Sequence, residues 1–280
     1  MRGSLFAMLG TVVLLAGCLT HGPPVTPPSD DTGRADWQPT WAEVEAAHLR
    51  PGSRMDQLRS LAEDDGVPCT LNFLFVDPVA ELYYVGAAGH CTDGVESPDD
   101  GMGQRVTLSG VREIGTVVFD SDSLELQSEF AVERAVDFSL IQLDVNMNMI
   151  AHPQVIGLEA PTGLILCAAT ALGDLFAYHG HGLPFGEVEQ TRTRHGILSS
   201  CDGRNHAGEA VGSFGDSGAP VVHTASGAAL GIIVGVGVDV SPPAPLAGTT
   251  ISFVFSELAK AGFVNLALAT MDGGYVNPDH

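Results

Sequence analysis

Phe214-Gly215-Asp216-Ser217-Gly218-Ala219-Pro220 is the stretch on which the fold of this chain turns. Glycine reaches positive φ at no steric cost, so two glycines bracketing an Asp-Ser pair allow a tight turn whose successive amides face one way. A hydroxyl in such a turn sits beside N–H donors, the arrangement a nucleophile needs when an oxyanion develops next to it. Taken alone, the string also suits a plain surface turn, since glycine, aspartate and serine are ordinary turn residues. Whether the rest of the chain carries a base and a carboxylate decides between the two.

Leu82-Tyr83-Tyr84-Val85 is a short aromatic and β-branched strand that runs into Gly86-Ala87-Ala88-Gly89-His90-Cys91, which puts His90 at a strand end. A histidine there is a base if a nucleophile lies near it and a structural side chain if none does. Val136-Asp137-Phe138-Ser139-Leu140-Ile141-Gln142-Leu143 places Asp137 at the start of an apolar strand. A carboxylate entering a buried strand needs a partner, and an imidazole N–H supplies one while its own tautomer is fixed. Asp93, Asp99, Asp100, Asp120 and Asp122 lie in turn-like acidic stretches and read as solvated; Asp144 caps the far end of the strand.

Together the three strings resemble the chymotrypsin/trypsin family of serine proteases, in its prokaryotic branch. Ala88-Gly89-His90-Cys91 is similar to that family's histidine signature, and Gly215-Asp216-Ser217-Gly218-Ala219-Pro220 to its nucleophile loop, with Ala219 in place of a glycine. The chain order His, Asp, Ser is the order of that family; an α/β-hydrolase reads Ser, Asp, His, and a subtilisin begins with Asp. The resemblance implies a catalytic triad of His90, Asp137 and Ser217, an oxyanion hole from the amides of Gly215 and Ser217, and cleavage of protein or peptide substrates through an acyl-enzyme. It implies an all-β chain of two packed antiparallel six-stranded barrels, about 67–148 and 160–255, closed by a short helix at 256–261 with Ser256 as a possible cap. Gly231-Ile232-Ile233-Val234-Gly235-Val236 falls where the family pairs a strand with substrate, which assigns Val234, Gly235 and Val236 to substrate binding. Counting back from Ser217, Val211 lies at the base of the primary specificity pocket, within a flexible Gly208–Ser213 loop, and favours an apolar or small side chain. No cofactor and no metal is implied.

The chain departs from the family at several points. The hydroxyl residues that usually support the aspartate are matched by Ala87 and Val234, and no Ile-Val-Gly-Gly-like activation site occurs between Cys18 and Cys69. If Asp216 is buried, it needs a cation from within the chain, and an internal arginine would serve. These departures keep a second expectation open: a catalytically inactive relative that uses the cleft as a binding module. An esterase on the same scaffold is a third.

The five cysteines are Cys18, Cys69, Cys91, Cys167 and Cys201. Leu15-Ala16-Gly17-Cys18 follows a positive n-region at Arg2 and an apolar stretch too short to span a bilayer. It resembles a lipobox, which implies a signal peptide over 1–17 and a lipid on Cys18 that anchors the chain to a membrane outside the cytoplasm. Four cysteines remain in an exported protein, where disulfides persist, and four allow three pairings. The family resemblance favours Cys69 with Cys91 and Cys167 with Cys201.

Residues 18–40 are rich in proline and polar residues and form a tether. Thr40-Trp41-Ala42-Glu43 has the form of a capping box, and predicts a short helix to Leu49 that Pro51-Gly52 ends, within a segment over 41–66. The protease-like domain is expected over 67–280.

The formal charge is −22, from 34 acidic and 12 basic residues. Such a surface repels phosphate backbones, which argues against nucleic acid as a partner. With 34 glycines, 17 prolines and only 16% charged residues, the composition is that of turn-punctuated strands. His179-Gly180-His181, His195 and His206 cluster in sequence, but no acidic residue accompanies them at ligand spacing, so they read as polar loop histidines. Oligomeric state is not legible.

Overall fold

A computed structural model of the chain describes residues 49–57, 68–92, 102–108, 112–121, 136–147, 150–182, 192–236, 244–271 and 275–276. All of them belong to one compact unit, Ala35–His280. The expected signal segment, lipidated Cys18, tether and capping box lie outside the described residues.

The strands are β1 (Arg54–Gln57), β2 (Cys69–Thr70), β3 (Leu74–Asp77), β4 (Leu82–Ala87), β5 (Arg105–Leu108), β6 (Arg112–Asp120), β7 (Ser139–Leu143), β8 (Leu175–Gly180), β9 (Arg192–Cys201), β10 (Asn205–Ala210), β11 (Pro220–His223), β12 (Ala229–Val236) and β13 (Ala244–Thr250). Helix α1 (Ile251–Lys260) follows, and the short strands β14 (Ala267–Ala269) and β15 (Tyr275–Val276) come last. Every strand pair is antiparallel. The second sheet is a closed six-stranded barrel in the order β10-β13-β12-β11-β8-β9. The first is a curled half-barrel of nine short strands, β15-β14-β3-β4-β7-β6-β5-β1-β2. Its extra members come from outside the central run: β1 precedes Cys69, and β14 pairs Ala267 with Val76 and Leu268 with Phe75 along the edge of β3.

Strand periodicity explains why the two sheets pack on each other. Side chains alternate between faces along a strand, so a strand buried on both faces is continuously apolar. In Phe73-Leu74-Phe75-Val76, Leu74 and Val76 enter the interior of the first sheet, while Phe73 and Phe75 enter a second core shared with Val222, Ala229, Ile232 and helix α1. Phe75 meets Phe138 and Phe255 edge-on, at centroid distances of 6.0 and 5.6 Å. A third core, with Phe176, Tyr178, Leu230 and Ile233, fills the closed barrel. The shared core joins the strand that ends in His90 to the barrel that carries Ser217.

Two expectations at the chain ends are corrected. Leu49 is not helical; it forms a bridge with Ala151, and Gly52, at φ +93°, turns the chain into β1. The C-terminal helix begins at Ile251, not near Ser256, because the cap is Thr250, whose hydroxyl oxygen accepts from the Phe253 amide at 3.3 Å. Ile251, Val254, Phe255 and Leu258 recur at helical spacing and are all buried.

Cys69 is bonded to Cys91 and Cys167 to Cys201, closing loops of 22 and 34 positions. By the chain-entropy model such closures stabilise by roughly 3 to 4 kcal/mol each. The first ties β2 to the turn that carries His90.

Candidate active site

His90 lies in a short 3-10 turn, Gly89–Cys91, directly after β4. Its Nδ1 is 2.7 Å from Asp137 Oδ2, and its backbone amide donates to Asp137 Oδ1 at 2.9 Å. Both carboxylate oxygens are therefore spent on one residue. Asp137 is buried at 4% exposure, while the imidazole is 32% exposed, so one ring edge faces the carboxylate and the ring still reaches solvent. Gly89 is required by packing: a Cβ there would lie 2.8 Å from Ser121 Oγ and 3.0 Å from Asp137 Oδ1.

Ala87 and Val234 supply no hydroxyl to Asp137, and the hydroxyls of Ser121 and Ser139 act on the neighbouring backbone instead. Ser121 Oγ accepts from the Phe138 amide at 3.0 Å and holds the residue after Asp137; Ser139 Oγ donates to Ala88 O at 3.2 Å, two residues before His90. Thr92 Oγ1 lies 2.9 Å from Gly89 O and 2.5 Å from Asp120 Oδ2, so the far end of the turn is held as well. Asp120 is wholly buried at the end of β6, which corrects its reading as a solvated residue. The sequence around it is acidic, but β6 carries it inward, and the Thr92 hydroxyl meets it there.

Ser217 sits in the turn between β10 and β11. Gly215 has φ +101° and Gly218 φ +88°, so both positions of the bracketing pair use the left-handed region that glycine favours. Gly218 is further constrained by contact with the first sheet: a Cβ would lie 2.1 Å from Thr70 O and 3.1 Å from Ala88 N. The nucleophile loop thus abuts the strand and turn that carry His90, and the Thr70 amide donates to Ser217 O at 2.8 Å across the same seam. The amides of Asp216, Gly218 and Ala219 donate to Ser213 O, Ile233 O and Asp216 O. Those of Gly215 and Ser217 have no acceptor among the described residues.

Asp216 is fully buried, and its cation is Arg194 of β9. Arg194 Nη1 pairs with Asp216 Oδ2 and its Nη2 donates to Gly182 O at 2.6 Å; the amides of Gly182 and Ser213 donate to the two carboxylate oxygens at 2.8 and 2.9 Å. Tyr178 lies against the guanidinium, 5.7 Å from ring centroid to Cζ. Burial alone lowers the Arg194 pKa, but the facing Asp216 carboxylate and Tyr178 more than offset it and hold the arginine above its usual range. Burial likewise pushes the Asp216 carboxyl up, with Arg194 and the two amides pulling against it. The sequence showed the need for such a cation but not which arginine, since the neighbour of Asp216 is fixed only when β9 closes into the barrel beside the nucleophile turn.

The proposed substrate-binding residues occupy one end of the second barrel. Val211 is 39% exposed just beyond β10, with its carbonyl accepting from the Tyr178 hydroxyl. The loop there is shorter than expected: Gly208 to Ala210 belong to β10, and only Val211 to Ser213 are irregular before the turn. Val234, Gly235 and Val236 end β12; Gly235 and Val236 pair with Ala247 and Leu246 of β13, whereas the β11 pairing on the other side stops at Ile232. A Cβ on Gly235 would meet nothing within 4 Å, so its surroundings are open.

Three of the four histidines lie on strands and not in loops, while His181 follows the end of β8. His179 lies on β8 and His206 on β10, both buried; His195 is exposed on β9. Burial, with His181 and Arg194 nearby, lowers the His179 pKa to about 4, and burial lowers that of His206 to about 4. The His206 ring fits a socket left by Gly231 and Gly248, where a Cβ would come within 2.4 Å of it.

Neither a family model nor a curated protein sequence matches the chain. Solved structures do. Protease A of Thermobifida fusca superposes with a TM-score of 0.52 at 16% identity over 79% of this chain and 98% of its own. A glutamic acid-specific serine protease gives 0.50 at 14% over 75% and 98%, and the chymotrypsin of Cellulomonas bogoriensis gives 0.50 at 13% over 79% and 98%. With two antiparallel sheets sharing a core and a terminal helix on that core, the chain has the fold of the chymotrypsin-like serine proteases.

Proposed function

We propose that this chain is a serine endopeptidase in which Ser217 is the nucleophile, His90 the general base and Asp137 the residue that orients His90. The observation that carries the reading is the His90–Asp137 pair at 2.7 Å, set across a close backbone seam from a turn whose Gly215 and Ser217 amides have no acceptor among the described residues. His90 takes the Ser217 proton as the oxygen attacks the scissile carbonyl, and the amides of Gly215 and Ser217 stabilise the oxyanion that forms. The imidazolium then protonates the leaving amine. Water, deprotonated by the same ring, releases the acid from the acyl-enzyme and restores Ser217.

Asp137 keeps the Nδ1 proton facing it and stabilises the imidazolium without taking the proton itself. The side of Val234 to Val236 away from β13 has no strand partner among the described residues and offers its backbone to substrate, and the apolar Val211 favours an apolar or small side chain in the primary pocket. The lipobox at Cys18 places the enzyme outside the cytoplasm on a lipid anchor, in keeping with its two disulfides.

A fluorophosphonate label tests the reading. Covalent labelling on Ser217 that is lost in Ser217→Ala and strongly reduced in His90→Ala is the expected result; an intact, folded chain that does not label overturns it. The absence of hydroxyls at Ala87 and Val234 is what favours the second reading, an inactive cleft that binds peptides. That reading predicts peptide binding without labelling.

A further inference from the structure

Thr70 makes contacts that neither the motifs nor the proposed chemistry uses. It lies on β2, next to Cys69, and is 0% exposed. Its hydroxyl donates to Gly215 O at 2.8 Å and accepts from the His181 amide at 3.0 Å, spanning 145 and 111 positions of sequence. One donated and one accepted bond leave the buried hydroxyl satisfied. Its backbone amide donates to Ser217 O at 2.8 Å, and its carbonyl fills the space beside Gly218. A single residue of the first sheet thus touches Gly215, Ser217 and Gly218 and also holds the end of β8.

The position of these bonds gives them a consequence. Gly215 sits at φ +101°, and its Cβ side faces Gly182 Cα and His181 O at 3.1 Å. The Asp216 side of the turn is held by Arg194, Gly182 and Ser213, all from the second barrel. The Gly215 carbonyl is held by Thr70. A glycine fixed at only one end can rotate its flanking peptides, because it populates positive and negative φ about equally. Anchoring its carbonyl from the first sheet, while the Asp216 amide of the same peptide donates to Ser213 O, fixes the Gly215–Asp216 peptide from both sides and leaves only rotation about the Gly215 N–Cα bond to aim its amide.

We infer that Thr70 is a positioning residue for the oxyanion turn: its side chain locks the Gly215–Asp216 peptide, the unit that joins the two proposed donors, so that the Gly215 and Ser217 amides converge when the two sheets are docked. The inference rests on the proposed oxyanion role of those amides, and it makes the hydroxyl, not the strand, the part that matters.

The test uses the full chain with Thr70→Val, which keeps the β-branched shape, and Thr70→Ser, which keeps the hydroxyl; Thr70→Ala replaces the valine variant if that does not fold. The expected result is a kcat reduced by at least about tenfold in Thr70→Val with KM little changed, against the roughly 100- to 1,000-fold cost of deleting an oxyanion donor outright, and recovery in Thr70→Ser. A structural role alone would lower the melting temperature and leave kcat intact below it, and that outcome overturns the inference, as does a change confined to KM. Hydrogen exchange of the 211–220 segment gives a second reading that needs no activity. Faster exchange in Thr70→Val than in wild type or Thr70→Ser, with β5 to β7 unchanged, supports the lock, and unchanged exchange overturns it. If the wild-type chain does not label, the proposed function fails, and the exchange measurement still decides whether Thr70 fixes the turn.

Discussion

At the scale of single residues, the candidate site depends on a few positions that tolerate no substitution. Gly218→Ala places a Cβ at the 2.1 Å approach to Thr70 O, at a φ that L side chains rarely adopt. Backbone cannot yield as a flexible side chain can, so this variant is expected to lose its melting transition or labelling, where Gly203→Ala, at a similar positive φ of +92° with nothing within 4 Å, loses only about 1 to 2 kcal/mol. Thermal unfolding of the two variants side by side checks this. The Arg194–Asp216 pair makes a second prediction. Removing one partner of a buried ion pair leaves an uncompensated charge and costs about 3 to 5 kcal/mol, while replacing both costs much less. Arg194→Met alone should therefore be less stable in urea than Arg194→Met/Asp216→Asn. Equal stability would mean that the pair contributes only through packing.

Helix α1 and the three cores make the prediction at the scale of elements. Thr250→Ala removes the cap that accepts from Phe253 and should cost about 1 kcal/mol. Leu258→Ala, on the helix face within the core shared by both sheets, should cost about 2 to 5 kcal/mol. The two sites differ in what they disturb. Loss of the cap frays the helix start, whereas loss of Leu258 loosens packing between the sheets that bring His90 and Ser217 together. Leu258→Ala should then lower kcat at temperatures well below its own unfolding, and Thr250→Ala should not, as measured by activity and circular dichroism on the same samples.

For the molecule as a whole, acid is the condition that separates folded from unfolded. His179 and His206 are buried and neutral, with folded pKa values of about 4 against an ordinary value of 6.5. Above pH 6.5 both states hold these rings neutral, and there is no effect. Between 6.5 and about 4 the unfolded chain binds protons that the folded chain refuses, so stability falls as pH falls, by on the order of 3 kcal/mol for each ring at the lower limit. The urea midpoint should drop steeply from about pH 6.5 to 4. His206→Asn, which keeps a polar group in the glycine socket, should remove about half of that slope. A slope unchanged in His206→Asn would place the acid sensitivity elsewhere.

Local strings of sequence point to the candidate chemistry more directly than to its supports. His90, Asp137 and Ser217 stand out as candidates because each sits in a short string whose local conformation is set by its own residues: a strand end, a strand start and a glycine-bracketed turn. The all-β class was legible from a composition rich in glycine and proline and poor in charge, and its antiparallel sheets from the family resemblance. The start of α1 was misplaced because its cap, Thr250, is also the last residue of a strand, and hydrophobic period alone does not separate the two. Asp120 was misread for a similar reason, since an acidic neighbourhood in sequence says nothing about which way a strand turns its last residue. That Arg194 neutralises Asp216, that the Ser121 and Ser139 hydroxyls hold backbone next to Asp137 and His90, and that Thr70 grips Gly215 follow only from the packing of the two sheets. All of these contacts join residues far apart in the chain, and their geometry exists only after both sheets have closed and docked. Local conformation is written in neighbours along the sequence; burial, charge pairing and the direction of an amide are set by neighbours in space.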